Sequence, residues 1–488
     1  MSLKHGVYAQ EKATSLVTPL VADVGIPFVV GAAPVQSAGS PARPNVPVLC
    51  TSWDEAVAKL GFSYDWEAYP ICEFMYSHFQ LFGCQPVIFC NVMDPARMKT
   101  EAAAAEYAVT DHVVRLPFST LGDSIAVSLP DGEQDPEAPE GAGGGTALEY
   151  DEDYSVLYDE NENACIVELL GSGSAYGAEK LLITCAEAAP EEVVLADIVE
   201  GLGVVDDCLS QVGVIPDLIC APSWSHNTVA AAVMATKAAG IVGLFRAKAL
   251  IDCDTGEEGV REYSELTPYK NRNNFVDENQ ILCWPMVKLG DYRFHMSTQL
   301  AGLMAKVDTG NDGCPYESPS NKNFKMDGCC LADGTEVNLS FLQANMVNSY
   351  GIVTALNFLT GGWTCWGNYT ACYPGNTDVK DYFIPVSRMF DWVANTVIRT
   401  FWSKIDKPMI PRLIDTILDT CNIWINGLVG MERLLGGRVE LLDAENTTLD
   451  LMAGIIYFHI FMTPPSPMQE CNFILEYDPE YVKAALGR

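Results

Sequence analysis

From about residue 190 to residue 252 helix-like and strand-like segments alternate, and this pattern constrains the fold more than any other feature. ADIVEGLGVVDDCLSQVG reads as helix and VIPDLICAPS as a buried strand with a polar exit. HNTVAAAVMATKAAG is a small-residue helix, and IVGLFRAKALID a strand with a following turn. Short apolar runs bounded by turn residues suit strands covered on both faces, so the region predicts a doubly wound α/β domain. The same character appears upstream. GIPFVVGAAPV is strand-like. TSWDEAVAKLG has a hydroxyl N-cap, acids in its first turn and Gly61 at its end, the marks of a helix. EFMYSHFQLFG, a second helix, runs into the strand QPVIFCNVM.

Between these two α/β stretches the chemistry changes. Residues 120–210 hold 22 Asp and Glu and a single basic residue, Lys180, and so account for most of the chain's net charge of −35. PDGEQDPEAPEGAGGG inside this window is loop or linker by composition. SIAVSL, SVLYD, CIVELL and EKLLITC read as short strands. An acidic, β-rich insertion facing solvent follows. Charge of this sign and size repels phosphate and anionic headgroups, which excludes nucleic acid and membrane surfaces as partners. The longest stretch without a charged side chain, 337–377, carries six Asn residues and makes a poor membrane span. MSLKHGVYAQEK has no apolar run of the secretory kind. Without one, the 17 cysteines are expected to be small buried hydrophobes in a reducing cytoplasm.

The last third is helical and nearly neutral. VSRMFDWVANTVIRTFWSKI and IPRLIDTILDTCNIWINGLVG are amphipathic helices. GIIYFHIFMTPPSP is a strand meeting a double proline, and NFILEY reads as a terminal strand. Between Lys380 and Glu440 eight basic residues face seven acidic ones. Lys404, Lys407, Arg412 and Arg433, with Arg438, are candidates for a basic face.

Motifs that could carry catalysis are weak. PSWSH places Ser223, Ser225 and His226 after a strand, where α/β folds put ligands. No G-x-S-x-G elbow surrounds either serine, so a strand-to-helix cap is the simpler reading and a hydrolase the remote one. DTGNDG at 308–313 resembles a calcium-loop fragment, but Pro319 stands where an EF-hand needs its bidentate Glu, which leaves turn chemistry. The glycines at 141–145 precede acids rather than a helix. The six histidines are scattered. No catalytic, metal or cofactor site is expected.

GGWTCWGNYTACYPGNTDVKDYFIPVSRMFDWVANTVIRTFW resembles the signature stretch of contractile phage tail sheath proteins, a WGNRT-like segment followed by a loop and an arginine-bearing helix. The matching residues are Trp366, Gly367, Asn368, Thr370, Arg388, Phe390 and Asp391, with Tyr369 and Ser387 where the family often has arginine. GLVGMERLLGGRVELLDAENTTLDLMAGIIYFHIFMTPPSPMQECNFILEYDPEYV is similar to the family's C-terminal end. PDLICAPSWSHN is similar to its central strand and loop, and GVYAQEKATSLVTPLVADVGIPFVVGAAPV to its N-terminal arm and first strand. It is the order of these segments that makes the match specific.

The resemblance implies a structural polymer protein without enzymatic activity. Its subunits would stack as six-membered rings around a tail tube. They would contact baseplate and tail terminator proteins, and contract to drive the tube through a cell envelope. Assembly would take place in the bacterial cytoplasm, and the product would be a virion tail, a headless injection system or an R-type bacteriocin. The fold class expected is α/β within an α+β multidomain chain. An interaction arm would occupy 1–24 and the first part of the core 25–115. The acidic β-rich insertion would span 116–188 and an α/β domain 189–350. An inner tube-facing domain at 351–463 and a C-terminal strand and arm at 464–488 would follow. The resemblance assigns subunit linkage to the arms, and apolar Leu16, Val17, Leu20, Val21, Phe473, Ile474, Leu475 and Tyr477 suit strand addition to a neighbour. Lys404, Lys407, Arg412 and Arg433 would face the tube.

Overall fold

The computed structural model describes residues 18–130, 146–359 and 361–487. The first three strands are β1 (Pro27–Gly31), β2 (Val48–Cys50) and β3 (Val87–Asn91). Two helical segments lie between β2 and β3. The first is α1 (Trp53–Leu60), where the Ser52 hydroxyl accepts from the Glu55 amide at 3.2 Å and the Glu55 carboxylate accepts from Thr51. These bonds satisfy the helix's first free amides. Gly61 ends it at φ 73°, where a Cβ would lie 2.2 Å from the Pro34 carbonyl, so only glycine fits. The second is α2 (Pro70–Met75), continued by a π-helical turn to Phe82.

A separate β body follows, made of β4 (Lys99–Ala108), β5 (Val113–Pro117), β6 (Ala126–Ser128), β7 (Tyr154–Asp159), β8 (Ala164–Leu169) and β9 (Lys180–Ala188). Its two antiparallel sheets run β4-β9-β6 and β5-β8-β7 and enclose their own core, including Val114, Leu116, Val127, Val167, Leu181 and Ile183. The acidic glycine-rich run at 131–145 lies outside the described residues. The body starts at Lys99, ahead of the expected boundary at 116. β4 is alanine-rich and exposed along most of its length, so no apolar alternation announces it.

After α3 (Leu195–Gly203) the chain returns to the first sheet through β10 (Leu218–Cys220), α4 (Thr228–Ala239), β11 (Lys248–Asp252) and β12 (Gln280–Cys283). A small sheet is formed by β13 (Met286–Leu289), β14 (Tyr292–Phe294) and β15 (Gly328–Cys330), and α5 (Met296–Gly310) lies between its last two strands in the sequence. Next come α6 (Phe341–Asn348), β16 (Ile352–Asn357) and β17 (Trp363–Trp366). The finished sheet has eight strands in the order β17-β16-β12-β11-β10-β1-β3-β2. It is parallel except at its two edge strands.

This corrects the expected division. The segments 25–115 and 189–350 are not two domains, because β1 pairs directly with β10 in one sheet. Nor does a domain begin at 351, since β16 and β17 complete that sheet. Each parallel strand needs neighbours on both edges for its backbone groups, and the chain supplies them from segments nearly 200 residues apart.

Helices α7 (Ile384–Phe401) and α8 (Pro411–Gly430) and the two-stranded sheet β18 (Gly436–Glu440) and β19 (His459–Thr463) form the last unit. Met389, Trp392, Cys421, Ile425, Leu428 and Val439 make its core. Among the described residues, 16 cysteines are buried free thiols and Cys471 is an exposed one. No described helix is long and apolar enough to cross a membrane.

The β body joins the main sheet where the Ala189 amide donates to the Met98 carbonyl at 3.0 Å, so its ends are adjacent. Excising 99–188 and joining 98 to 189 is expected to leave a folded chain with cooperative thermal unfolding. Far-UV circular dichroism and a melting curve check this, and a non-cooperative melt would show that the two cores depend on each other.

Candidate functional site

The family-motif residues converge at the start of α7. The Trp366 indole N–H donates to Asn345 Oδ1 at 2.9 Å. The Gly367 amide donates to the Ser320 hydroxyl at 3.1 Å. Gly367 sits at φ 146°, and a Cβ there would come 3.0 Å from the Val353 Cα. The Asn368 carbonyl accepts from the Ile384 amide at 2.8 Å, and its side-chain oxygen accepts from the Ser318 hydroxyl. Thr370 is fully buried, its amide donating to Tyr382 O at 2.8 Å and its hydroxyl to Asp381 O at 2.9 Å. The segment therefore staples the end of β17 to the first turn of α7.

That staple positions Arg388, one turn further on and only 4 % exposed. Its guanidinium donates to Asp217 Oδ2 at 2.8 Å and to both Asp308 oxygens, at 3.1 and 2.5 Å. Asp217 precedes β10, and its other oxygen accepts from the Ile26 amide at 2.7 Å. Asp308 lies in the last turn of α5 and is 1 % exposed. Burial pushes its carboxyl up to about 6, with Arg388 pulling the other way. Asp391, one helical turn after Arg388, faces Lys248 of β11, Nζ to Oδ2 at 2.9 Å. Phe390 is half-buried between these two charged positions in sequence. Asp308 is thus no turn residue, as DTGNDG suggested, but half of a buried clamp.

A second ion pair, with Glu73 buried and His295 half-buried, lines the same cavity as Asp252 at the end of β11. Glu73 accepts from the His295 amide and faces the ring Nδ1, both at 2.7 Å. Burial would lower His295, but the Glu73 carboxylate overrides this and carries it up to about 9. Nearby, Asp252 accepts from the Ser225 hydroxyl at 3.0 Å and the Ser297 amide at 2.9 Å. The cap expected from PSWSH is provided by Asn227, whose side chain accepts from the Val229 amide at 2.9 Å. Among the described residues neither Ser223 nor Ser225 is hydrogen-bonded to a histidine ring.

The candidate tube-facing residues fall in two places. Lys404, Lys407 and Arg412 surround the turn between α7 and α8, with Lys407 and Arg412 exposed. Arg433 lies beyond the far end of α8 and pairs with Asp312 at 2.7 Å. Twenty helical residues span about 30 Å, so the four are not one patch. Arg438 pairs with Glu440 and lies over the Phe461 ring.

Of the arm residues, Leu16 and Val17 lie outside the described residues. Leu20 and Val21 have exposed side chains but a tethered backbone. The Leu20 and Ala22 amides donate to Thr400 and Thr396 at 2.9 and 3.0 Å, and the Trp392 indole donates to Ala22 O at 2.9 Å. This stretch follows α7 of its own subunit. Phe473, Ile474, Leu475 and Tyr477 are 79–95 % exposed and form no strand, against the expectation for NFILEY. An extended segment needs a ladder partner, and among the described residues none pairs with it.

Sequence reading missed Asp217, Lys248, Glu73 and His295. The usable signal was a charged residue inside or beside an apolar strand, as in PDLIC and AKALID, which demands a buried partner.

No protein-family model matches the chain. It is 25 % identical to the tail sheath protein of Burkholderia phage BcepMu, over 99 % of this chain and 98 % of that protein. The chain is homologous to a phage tail sheath protein along nearly its whole length. The major tail sheath protein of Serratia phage KSP20 is 23 % identical over 57 % of this chain and 67 % of its own. Among solved structures, the sheath complex of the extracellular contractile injection system PVC, in its contracted state, matches with a TM-score of 0.57 at 12 % identity, covering 99 % of each chain. The sheath tail protein of Desulfitobacterium hafniense matches at 0.56 and 12 % identity, over 94 % of this chain and 96 % of its own. The α/β fold is therefore the tail sheath fold, and the homologues are structural proteins, not enzymes.

Two predictions follow from these buried pairs. Arg388→Met leaves Asp217 and Asp308 buried without a counter-charge and should cost about 3–5 kcal/mol in chemical denaturation. For the Glu73–His295 pair, the folded value lies above the ordinary histidine value of 6.5. Its contribution is complete below about pH 6.5 and disappears as pH rises through about 9, up to about 3 kcal/mol in all. The melting temperature should fall between pH 7 and 9.5, and Glu73→Gln should flatten that dependence.

Proposed function

We propose that this chain is the sheath subunit of a contractile particle, polymerising as stacked six-subunit rings around a tail tube and contracting to drive the tube through a cell envelope. The end-to-end homology to a tail sheath protein carries this reading. The C-terminal segment, unpaired among the described residues, supports it, because a run holding Phe473, Ile474, Leu475 and Tyr477 is costly to leave in water and suits burial against a neighbour. Among the described residues the β18–β19 sheet has two strands, and such a sheet gains stability from added strands.

In this reading each subunit contacts further copies of itself, the tube protein, and baseplate and terminator proteins at the ends. Assembly takes place in the host cytoplasm and the product is part of the tail. Contraction needs two packings of the same subunits, the extended one metastable. Main-chain hydrogen bonds through a linked arm survive a rotation that a flat rigid interface does not. The acidic β body supplies a repulsive outer surface that discourages bundling. The turn between α7 and α8, with Lys404, Lys407 and Arg412, faces the tube, where screened charge pairs can release. A headless injection particle is the second reading, favoured by the fold match to injection-system sheaths.

Reconstitution with the cognate tube protein, viewed by negative-stain electron microscopy, tests the proposal. Striated cylinders of uniform width are expected, and dispersed monomers would refute it. Removal of 471–488 should abolish cylinders while leaving the melting temperature within a few degrees, since Phe473, Ile474, Leu475 and Tyr477 are exposed among the described residues. Reversing Lys407 and Arg412 to Glu should reduce tube decoration without unfolding the chain. Unchanged decoration would remove those residues from the tube interface.

A further inference from the structure

The loops after β10, β11 and β12 leave the main sheet at its carboxyl end, where they wall a cavity of about 470 Å³. Glu73 of α2 closes another side, and the Ile71 amide of that helix donates to the Ala32 carbonyl just after β1 at 3.3 Å. Strands β1 and β10 are neighbours whose chains continue to opposite sides of the sheet, β1 to β2 and β3, β10 to β11. A sheet of this kind opens a ligand crevice where the strand order reverses in this way. Two nearly buried residues of the wall keep hydrogen-bonding groups with no partner among the described residues. They are Thr255, 7 % exposed, with its hydroxyl, and Trp66, 9 % exposed, with its indole N–H. The Ser223 hydroxyl, the His226 ring and Nε2 of His295 are likewise without a partner among the described residues. Asp254 gives one oxygen to the Gly256 amide at 2.9 Å and keeps the other. So many unspent donors and acceptors around one cavity suit a polar ligand that answers them.

The kind of ligand follows from which groups are free. A cation would answer the acids but leave the N–H groups of Trp66 and His295 without acceptors. An anion would answer those N–H groups but face Glu67, Asp254 and Asp291. A neutral polyhydroxylated molecule answers both, because each hydroxyl donates and accepts. Tyr292 stacks between Trp66 and Tyr64, with ring centres 4.9 and 5.6 Å apart, and gives the cavity an aromatic wall for an apolar C–H face. A second cavity, also about 470 Å³, shares Tyr64, Asp65 and Tyr292 and continues to Glu160, Asn161 and Asn163, in the turn between β7 and β8. We infer that this cleft binds a neutral saccharide, one ring among Thr255, Asp254 and His295 and a second reaching past Tyr64 to the turn of the β body. The site goes beyond the sheath reading and does not depend on polymerisation.

Isothermal titration calorimetry on the full chain tests this. The neutral probes are glucose, maltose, cellobiose, N-acetylglucosamine and chitobiose, and the charged ones spermidine and inorganic phosphate. At least one disaccharide is expected to bind with one site per chain and more tightly than its own monosaccharide. Thr255→Val and Asp254→Asn should each weaken that binding by up to about tenfold, the loss of one hydrogen bond. Thr255→Ser, which keeps the hydroxyl, should retain it, so a packing defect is told apart from a lost contact. Asn161→Ala, in an exposed turn, should lower the affinity of the disaccharide and leave that of the monosaccharide unchanged. No binding by any neutral probe at about 10 mM, or equal affinity in Thr255→Val and Asp254→Asn, would overturn the inference. So would one-site binding of spermidine or phosphate that Thr255→Val removes, since the cleft would then belong to a charged ligand.

Discussion

Arg388 is the point on which the architecture turns. Its guanidinium joins a carboxylate at the head of β10 to another at the end of α5, from a helix that begins more than 150 residues after the first of them. Asp217 also holds the amide of Ile26, at the entry to β1. Four remote segments therefore meet around one buried cation. Such a cluster adds little to stability compared with an apolar replacement, because desolvating each charge is expensive. It does demand one arrangement. With charges this deeply buried, any slip of α7 against the sheet leaves a carboxylate without a partner. The Asp391–Lys248 contact repeats the constraint one turn along.

This rigidity frames how the rest of the surface is used. The β body has its own core and leaves the main sheet between two adjacent backbone points, so it can carry the excess negative charge without straining the central sheet. The free C-terminal residues are the opposite case, apolar and uncovered. A folded monomer that leaves Phe473, Ile474 and Leu475 in water is incomplete by itself. Between these extremes the N-terminal stretch from Leu20 to Asp23 is bound to α7, with Arg399 on Asp23 at 2.9 Å.

Much of the fold was legible because local chemistry was unambiguous. Ser52, Glu55 and Gly61 bracket a helix by the groups they offer its ends. The buried runs VIFC and LIC could hardly be anything but central strands. The strands of the acidic insertion from 126 onward were readable by alternation, whereas β4, built of alanines, was not. In the signature, Arg388 and Asp391 could be named from motif order, but Asp217, Asp308 and Lys248 could not be assigned to them. A charged residue beside an apolar strand reveals that a partner exists and not which one. Asp308 shows the difficulty, since a run of Asp, Asn and Gly has the composition of a turn and its first member instead sits in a helix against an arginine.

The amino-acid sequence by itself determined the helices and most strands, the segregation of charge into an insertion, and, through the order of its motifs, the relationship to tail sheath proteins. Periodicity, capping and composition act over a few residues, and a few residues suffice to read them. Only the tertiary structure decided that residues on both sides of the insertion share one sheet, that Arg433 is remote from Lys407, and that the C-terminal segment forms no strand with any other described residue. Those are matters of which distant backbone and which buried charge meet. They are set by the closing of the whole core, where every hydrogen bond and every desolvated charge must find its complement at once.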